Sequence, residues 1–161
     1  MKYRKPEKSD IAGLIRLSKE FSIESRWGHL IPVGQIYNIE EARENLFGSN
    51  IYECRVAKKK DKLIGYIAVK EHEKIYEASI LVDSDYRKQG VGKNLTDNIF
   101  KSIPRDIEVE AWVADFNEAS IKATPQMGFE FKKKIYETEY IPDKEFYVYI
   151  YSRYGDYKNQ L

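Results

Sequence analysis

The chain has 161 residues and a mass of 19.0 kDa, the size of one ordinary domain. Hydrophobic side chains make up 42% and charged ones 33%, which excludes disorder through low hydrophobicity. Lys plus Arg number 27 against 26 Asp plus Glu, a net charge of +1 that excludes a protein held to nucleic acid or anionic lipid by its overall field. No apolar run approaches the roughly 18 residues of a membrane span, and Met1–Pro6 lacks the apolar stretch of a signal peptide. One cysteine, Cys54, cannot make an intramolecular disulfide, which fits a reducing compartment. With only His29 and His72 beside it, a structural Cys/His zinc site is excluded, and neither histidine lies beside a nucleophile-elbow pattern. The expectation is a single domain over 1–161 in the cytoplasm.

In chain order, Ser9 or Asp10 can cap a helix with Ile11, Leu14, Ile15 and Phe21 on one apolar stripe. Residues 22–37, with Gly28, Pro32 and Gly34 among aromatics, read as irregular. A short polar helix covers Ile39 to Phe47 and is closed by Gly48. Ile51–Ala57 and Leu63–Val69 flank a Lys-rich turn as a hairpin, and Ile75–Val82 follows as a third strand. Val91, Leu95, Ile99 and Ile103 mark a helix stopped by Pro104. Ile107–Ala114 reads as a strand, Asn117 as the cap of a helix running to about Thr124, and Phe129–Glu137 and Glu145–Arg153 as two last strands rich in Tyr and Phe. One strand–helix–strand crossover makes 75–82 and 107–114 parallel within an otherwise antiparallel sheet. The class is mixed α/β.

The most informative stretch is Val82-Asp-Ser-Asp-Tyr-Arg87-Lys88-Gln89-Gly90-Val91-Gly92-Lys93. It leaves a strand and enters an amphipathic helix through two glycines. Glycine lets the backbone approach a ligand closely, and the first helical turn offers unpaired N–H groups with a dipole that favours an anion. Arg87, Lys88 and Lys93 put cations where that dipole disfavours them, so an anionic partner is the economical reading. Walker A would need glycine at Arg87 and Ser or Thr at Asn94, and a dinucleotide fingerprint would need glycine at Leu95. Both fail.

Arg87-x-x-Gly90-x-Gly92, preceded by Val82-Asp-Ser-Asp-Tyr, resembles the acetyl-CoA motif of the GCN5-related N-acetyltransferases (GNAT). Asn117-Glu-Ala-Ser-Ile, ending in Met127-Gly128-Phe129, resembles the family's next motif. The resemblance covers essentially the whole chain and implies a mixed, mainly antiparallel seven-stranded sheet with helices on both faces. It implies an N-acetyltransferase moving an acetyl group from acetyl-CoA directly to an amine acceptor, a small molecule or a protein amino group, with no metal. Strands 75–82 and 107–114 would splay apart and admit pantetheine beside Ile80, Leu81 and Val82. The N–H groups from Lys88 through Gln89, Gly90, Val91 and Gly92 to Lys93 would hold the pyrophosphate, with Arg87 adding charge and Asn117 facing the cofactor. A backbone N–H near Leu81 would polarise the thioester carbonyl.

The chain departs from the pattern at Thr124, where the family usually has a tyrosine that protonates the departing thiolate. An aliphatic hydroxyl is a far poorer acid than a phenol of pKa about 10. Another group or water could give the proton, the thiolate could leave with little help, or the protein could be a non-catalytic acyl-CoA sensor. For the base, Glu110 beside Trp112 is a candidate against a solvated-carboxylate reading, with Glu77 behind it and His29 in the segment expected to line the acceptor site. The aromatics from Tyr136 through Tyr140 to Tyr154 read as packing, or else as an acceptor pocket or a homodimer contact.

Overall fold

The computed structural model describes residues 1–19, 22–24, 30–32, 36, 38–137 and 146–158. Among these residues nine strands and four helices follow in the order β1 (Lys2–Arg4), α1 (Ile11–Lys19), β2 (Ser22–Glu24), β3 (Leu30–Pro32), α2 (Ile39–Phe47), β4 (Ile51–Lys59), β5 (Lys62–His72), β6 (Ile75–Val82), α3 (Val91–Phe100), β7 (Glu108–Ala114), α4 (Glu118–Gln126), β8 (Glu130–Glu137) and β9 (Phe146–Tyr154). Seven strands form one sheet in the order β1-β4-β5-β6-β7-β9-β8, mixed because β6 and β7 run parallel while its other neighbours are antiparallel. The expected α/β class, seven-stranded mixed sheet and crossover all hold. No helix among the described residues is long and apolar enough to cross a membrane.

Each face of the sheet carries its own core. On one, α3 lays Val91, Leu95 and Ile99 against Ile64, Ile67, Val109, Ala111 and Val113. On the other, Leu14 and Leu17 of α1 and Ala42 and Leu46 of α2 pack on Val56, Tyr66, Ala68 and Leu81. Gly65 brings α3 close, because a Cβ there would meet Leu95 Cδ1 at 2.9 Å and Val91 Cγ1 at 3.0 Å.

Four local expectations change. Asp10 does not simply cap α1. A 3-10 turn over Lys8–Asp10 precedes the helix, and the Asp10 carboxylate accepts from Glu7 N at 2.7 Å and from Arg4 at 2.7 and 3.0 Å. Residues 22–37 are not wholly irregular, since β2 and β3 pair as a separate antiparallel sheet. The hairpin strands β4 and β5 extend further into the lysine run, leaving only Lys60 and Asp61 between them. Helix α3 ends at Phe100, before Ile103. Ser102 N donates to Ile99 O at 2.9 Å and Ile103 N to Phe100 O at 3.2 Å, a tightened last turn, because the residue before Pro104 is steered out of helical backbone. Ile103 stays fully buried all the same. Phe21, His29 and Tyr140 lie outside the described residues.

The Asp10 cluster fastens the sheet edge to α1. Burial pushes the Asp10 carboxyl up, but the hydrogen bonds from Arg4 and the Glu7 amide, with Lys58 at 3.6 Å, outweigh it and hold the carboxyl below its usual value. A lowered folded pKa gives stability that is present above the unfolded pKa and is lost as pH falls through the folded one. Asp10→Ala, which strands Arg4, should cost about 3 kcal/mol in urea unfolding at pH 7, and the deficit should shrink on acidification. A loss under about 0.5 kcal/mol would remove the cluster's structural role.

Candidate functional site

Strands β6 and β7 are paired only at Tyr76↔Val109 and Glu77↔Glu110. Beyond those pairs β6 continues to Val82 and β7 to Ala114, so the strands part. Each keeps its other partner along its length: β6 is laddered to β5 from Ile75 to Val82, and β7 to β9 from Glu108 to Ala114. The wedge therefore opens between two intact half-sheets. It leaves the facing backbone groups of β6 without a strand to meet.

Alternation along β6 decides which groups those are. Asp83 N donates to Ile64 O at 2.9 Å, towards β5, and the register from Gly65↔Val82 to His72↔Ile75 runs without a shift. Successive residues of an antiparallel ladder alternate sides, so the amide of Leu81 also points to β5, whereas those of Ile80 and Val82 face the wedge. The Leu81 side chain is buried in the core on the α1/α2 face. Near Leu81, the amides that face the wedge are thus those on either side of it, of Ile80 and Val82.

At the open end of the wedge, Val82 leads through Asp83 and a 3-10 turn, Ser84–Tyr86, into α3. Lys88 (φ 58°) and Gly90 (φ 82°) are both left-handed, and Gly90 caps α3 without a side-chain hydrogen bond. The intrahelical ladder starts with Asn94 N donating to Gly90 O at 2.9 Å, so the amides of Val91, Gly92 and Lys93 fall in the unladdered first turn. A Cβ on Gly92 would lie 3.4 Å from Met127 Sδ and 3.7 Å from Val82 Cγ2, where the helix meets the strand. Arg87 Nε reaches back to Val82 O at 3.3 Å, Gln89 Nε2 donates to Asp85 O at 2.9 Å, and Lys93 pairs with Asp97. The loop is thus cationic, glycine-cradled and rich in free helical amides, a fit for a diphosphate.

The residues on the far side of the wedge are placed differently. Asn117 caps α4, its Oδ1 accepting from Ser120 N at 3.2 Å. Thr124 is 3% exposed, and its hydroxyl donates to Ser120 O at 2.7 Å. Pro125 sits in the last turn of α4 without ending it, and Gly128 (φ 85°) closes the turn, its N–H donating to Pro125 O at 3.0 Å.

Two carboxylates meet at the apex. Val109, Ala111 and Val113 of β7 and Tyr76, Ala78, Ile80 and Val82 of β6 face the α3 core, so Glu110 and Glu77 lie on the α1/α2 face. Register sets Lys70, Glu77, Glu110 and Ser152 in one row across four strands. Ile36 packs into the core of the same face. Glu110 is partnered: Trp112 Nε1 donates to its Oε2 at 2.8 Å, and Lys132 Nζ lies 3.5 Å from its Oε1. Trp112 itself is 38% exposed, while the Glu110 side chain beside it is 17% exposed. Burial pushes the Glu77 carboxyl above its ordinary value; Glu110 adds to the shift and His72 and Lys70 oppose it. The sequence puts Glu110 ahead of Glu77; in the structure the two stand side by side, Glu110 with side-chain partners and Glu77 with its carboxyl raised by burial.

Residues 16–129 match the profile of the Acetyltransferase (GNAT) family. The chain belongs to that family. A comparison with curated proteins returns no match. Among solved structures, the fold is shared with smu.2055 from Streptococcus mutans UA159, at TM-score 0.77 and 21% identity over 96% of this chain and 99% of that one. It is shared with a GNAT-family acetyltransferase from Streptococcus pneumoniae, at TM-score 0.72 and 20% identity over 96% and 98%. A GNAT superfamily phosphinothricin acetyltransferase from Sinorhizobium meliloti, solved with AcCoA, aligns at TM-score 0.70 and 18% identity over 98% and 90%. The seven-stranded GNAT fold expected from the two motifs is the fold observed.

The Glu77 placement makes a stability prediction. Between the ordinary glutamate pKa and its raised folded value, the native state holds a proton that the unfolded state has released, so stability falls as pH rises through that window. Glu77→Gln should therefore be at least as stable as the wild type at pH 7 in thermal melts. Destabilisation by more than about 1 kcal/mol would mean that the carboxylate holds the fold together.

Proposed function

We propose that this GNAT-family protein is an N-acetyltransferase that uses acetyl-CoA and passes the acetyl group directly to an amine. The wedge between β6 and β7 is the observation that carries the reading. A strand edge left unpaired inside a sheet suits an extended ligand with amide groups, and pantetheine has that character. The loop at its open end suits the attached diphosphate: the amides of Gly90–Lys93 and the charge of Arg87 and Lys88 would hold it. Acetyl-CoA supplies the activated thioester. The amide of Ile80 or Val82, rather than that of Leu81, would polarise its carbonyl, because those two face the wedge.

The ammonium nitrogen of an acceptor sheds two protons in becoming an amide, while a C–N bond forms and the C–S bond breaks. Glu77 takes the first proton in this reading, and the second, made acidic once the C–N bond forms, passes to water. It stands at the apex, beside the end of the wedge, with its pKa raised by burial towards the working range of a base. Glu110, held by Trp112 and Lys132, orients the ammonium instead. Thr124 keeps its proton on Ser120 O and serves α4, so the departing thiolate, with a pKa about 8.5 for an ordinary thiol, takes its proton from water or leaves without one. Direct transfer follows from the absence of an activated nucleophile in this arrangement: Cys54 is buried, its thiol pushed up to about 12 by that burial.

The cofactor assignment is checked by melting. Acetyl-CoA at 100-fold its dissociation constant should stabilise the fold by about 2.7 kcal/mol, with ATP and NAD doing much less at equal concentration. Gly92→Val, which crowds Met127 and Val82, and Gly90→Val, which strains a left-handed residue, should lose that shift. Equal stabilisation by ATP would replace the reading with a nucleotide-binding one.

Single-turnover transfer checks the chemistry. Glu77→Gln should lose about a hundredfold in rate and flatten the rising limb of the pH profile, while Thr124→Ala should lose less than about tenfold. A wild type that binds acetyl-CoA but acetylates no amine would favour a sensor.

A further inference from the structure

Between Val82 and Val91 the chain runs through a 3-10 turn and two left-handed residues, a segment that no sheet or helix ladder fixes along its length. Its anchorage begins at Asp83, whose N–H donates to Ile64 O at 2.9 Å and whose side chain adds more. Asp83 is 2% exposed, and its Oδ2 lies 3.0 Å from Lys62 Nζ of β5 and 3.2 Å from Arg16 Nη1 of α1. Its Oδ1 accepts from Asp85 N at 3.1 Å, and its carbonyl accepts from Tyr86 N at 2.9 Å. Arg16 spans the gap beneath, its Nη2 donating to Leu63 O at 2.5 Å. Lys62 also lies 5.4 Å from the centroid of the Tyr86 ring, across the same turn. A buried carboxylate is tolerated only when paired, and this one draws its cations from two different elements.

We propose that Asp83 is a positioning residue for the cofactor diphosphate: by clamping the start of the phosphate loop to both α1 and β5, it holds the first-turn amides of α3 in the geometry that receives phosphate. The inference rests on the acetyl-CoA reading above and assigns this chain a determinant of that site which touches no ligand itself. A negative charge beside a diphosphate site is otherwise a liability. Long-range electrostatics alone would have the site bind an anion better without it. Preorganisation predicts the opposite, because a loop that must be ordered on binding gives up part of its affinity to that ordering. The two effects differ in sign.

Asp83→Asn keeps the shape and the Asp85 contact while making the neighbourhood more positive by one charge. Calorimetric titration with coenzyme A, well below the melting temperature of each protein, should give about a tenfold weaker affinity. S-acetylpantetheine, which lacks the diphosphate, should bind both proteins equally in an NMR titration. Arg16→Gln, which leaves the Lys62 pair in place, should weaken coenzyme A binding about threefold, and it carries the test should Asp83→Asn fail to fold. Unchanged or tighter coenzyme A binding by the folded variants overturns the proposal. An equal loss for coenzyme A and S-acetylpantetheine also overturns it, since that marks a merely structural role. A wild type that does not bind coenzyme A sinks the acetyl-CoA reading itself, an outcome distinct from both.

Discussion

The protein depends on a hydrogen-bond ladder that stops. Strands β6 and β7 meet at two registered pairs and then separate, although each remains fully laddered to its outer neighbour. Backbone N–H and C=O groups are costly to leave unmet away from water, so a gap inside a sheet persists only where the rest of the fold imposes it. Cores on both faces impose it here: one takes in side chains of β6 and β7 alike, and the other holds Leu81 of β6. The wedge is a property of the packing of both halves, and the groups that it exposes are the ones a strand-like ligand would satisfy.

The two ends of that wedge have opposite electrostatics. The open end gathers Arg87, Lys88 and Lys93 around the N-terminus of α3, where the dipole already favours an anion. The closed end has Glu77 and Glu110 side by side, with Lys70 on one flank and Lys132 reaching Glu110 from β8. An anionic cofactor with a reactive tip and a cationic acceptor are the pair of ligands that such a distribution accommodates without a net penalty. The two carboxylates differ in burial and partners: Glu110 accepts from Trp112, and Glu77 is desolvated.

The ion pairs divide into similar roles. Asp10, with Arg4 and Lys58, ties the sheet edge to the turn before α1. Asp83, with Lys62 and Arg16, ties the other end of α1 to the phosphate loop. Arg153 of β9, over the ring of Phe100 at 4.3 Å and donating to Met127 O at 2.7 Å, joins the C-terminal end of α3 to that of α4. Each buried charge spans elements distant in sequence and so fixes their relative position, whereas an apolar contact would let them slide.

Much of this was legible in the sequence, and for local reasons. Gly48 closes α2, Gly90 and Gly92 with their basic neighbours mark the loop, and alternation along β7 puts Ala111 and Val113 on the core face. Those signals depend on residues within one or two turns of each other, and the chain writes them in order. The GNAT fold followed from two such motifs. What needed tertiary structure were the matters settled by partners far along the chain. The hydroxyl of Thr124 is spent within its own helix, the bond from Asp83 N to Ile64 O turns the Leu81 amide to β5 and those of Ile80 and Val82 to the wedge, and Trp112 and Lys132 occupy Glu110. Periodicity assigns a side chain to a face, but which backbone group faces a gap, and which carboxylate lacks a partner, are decided by the neighbouring strands, and no local pattern records them.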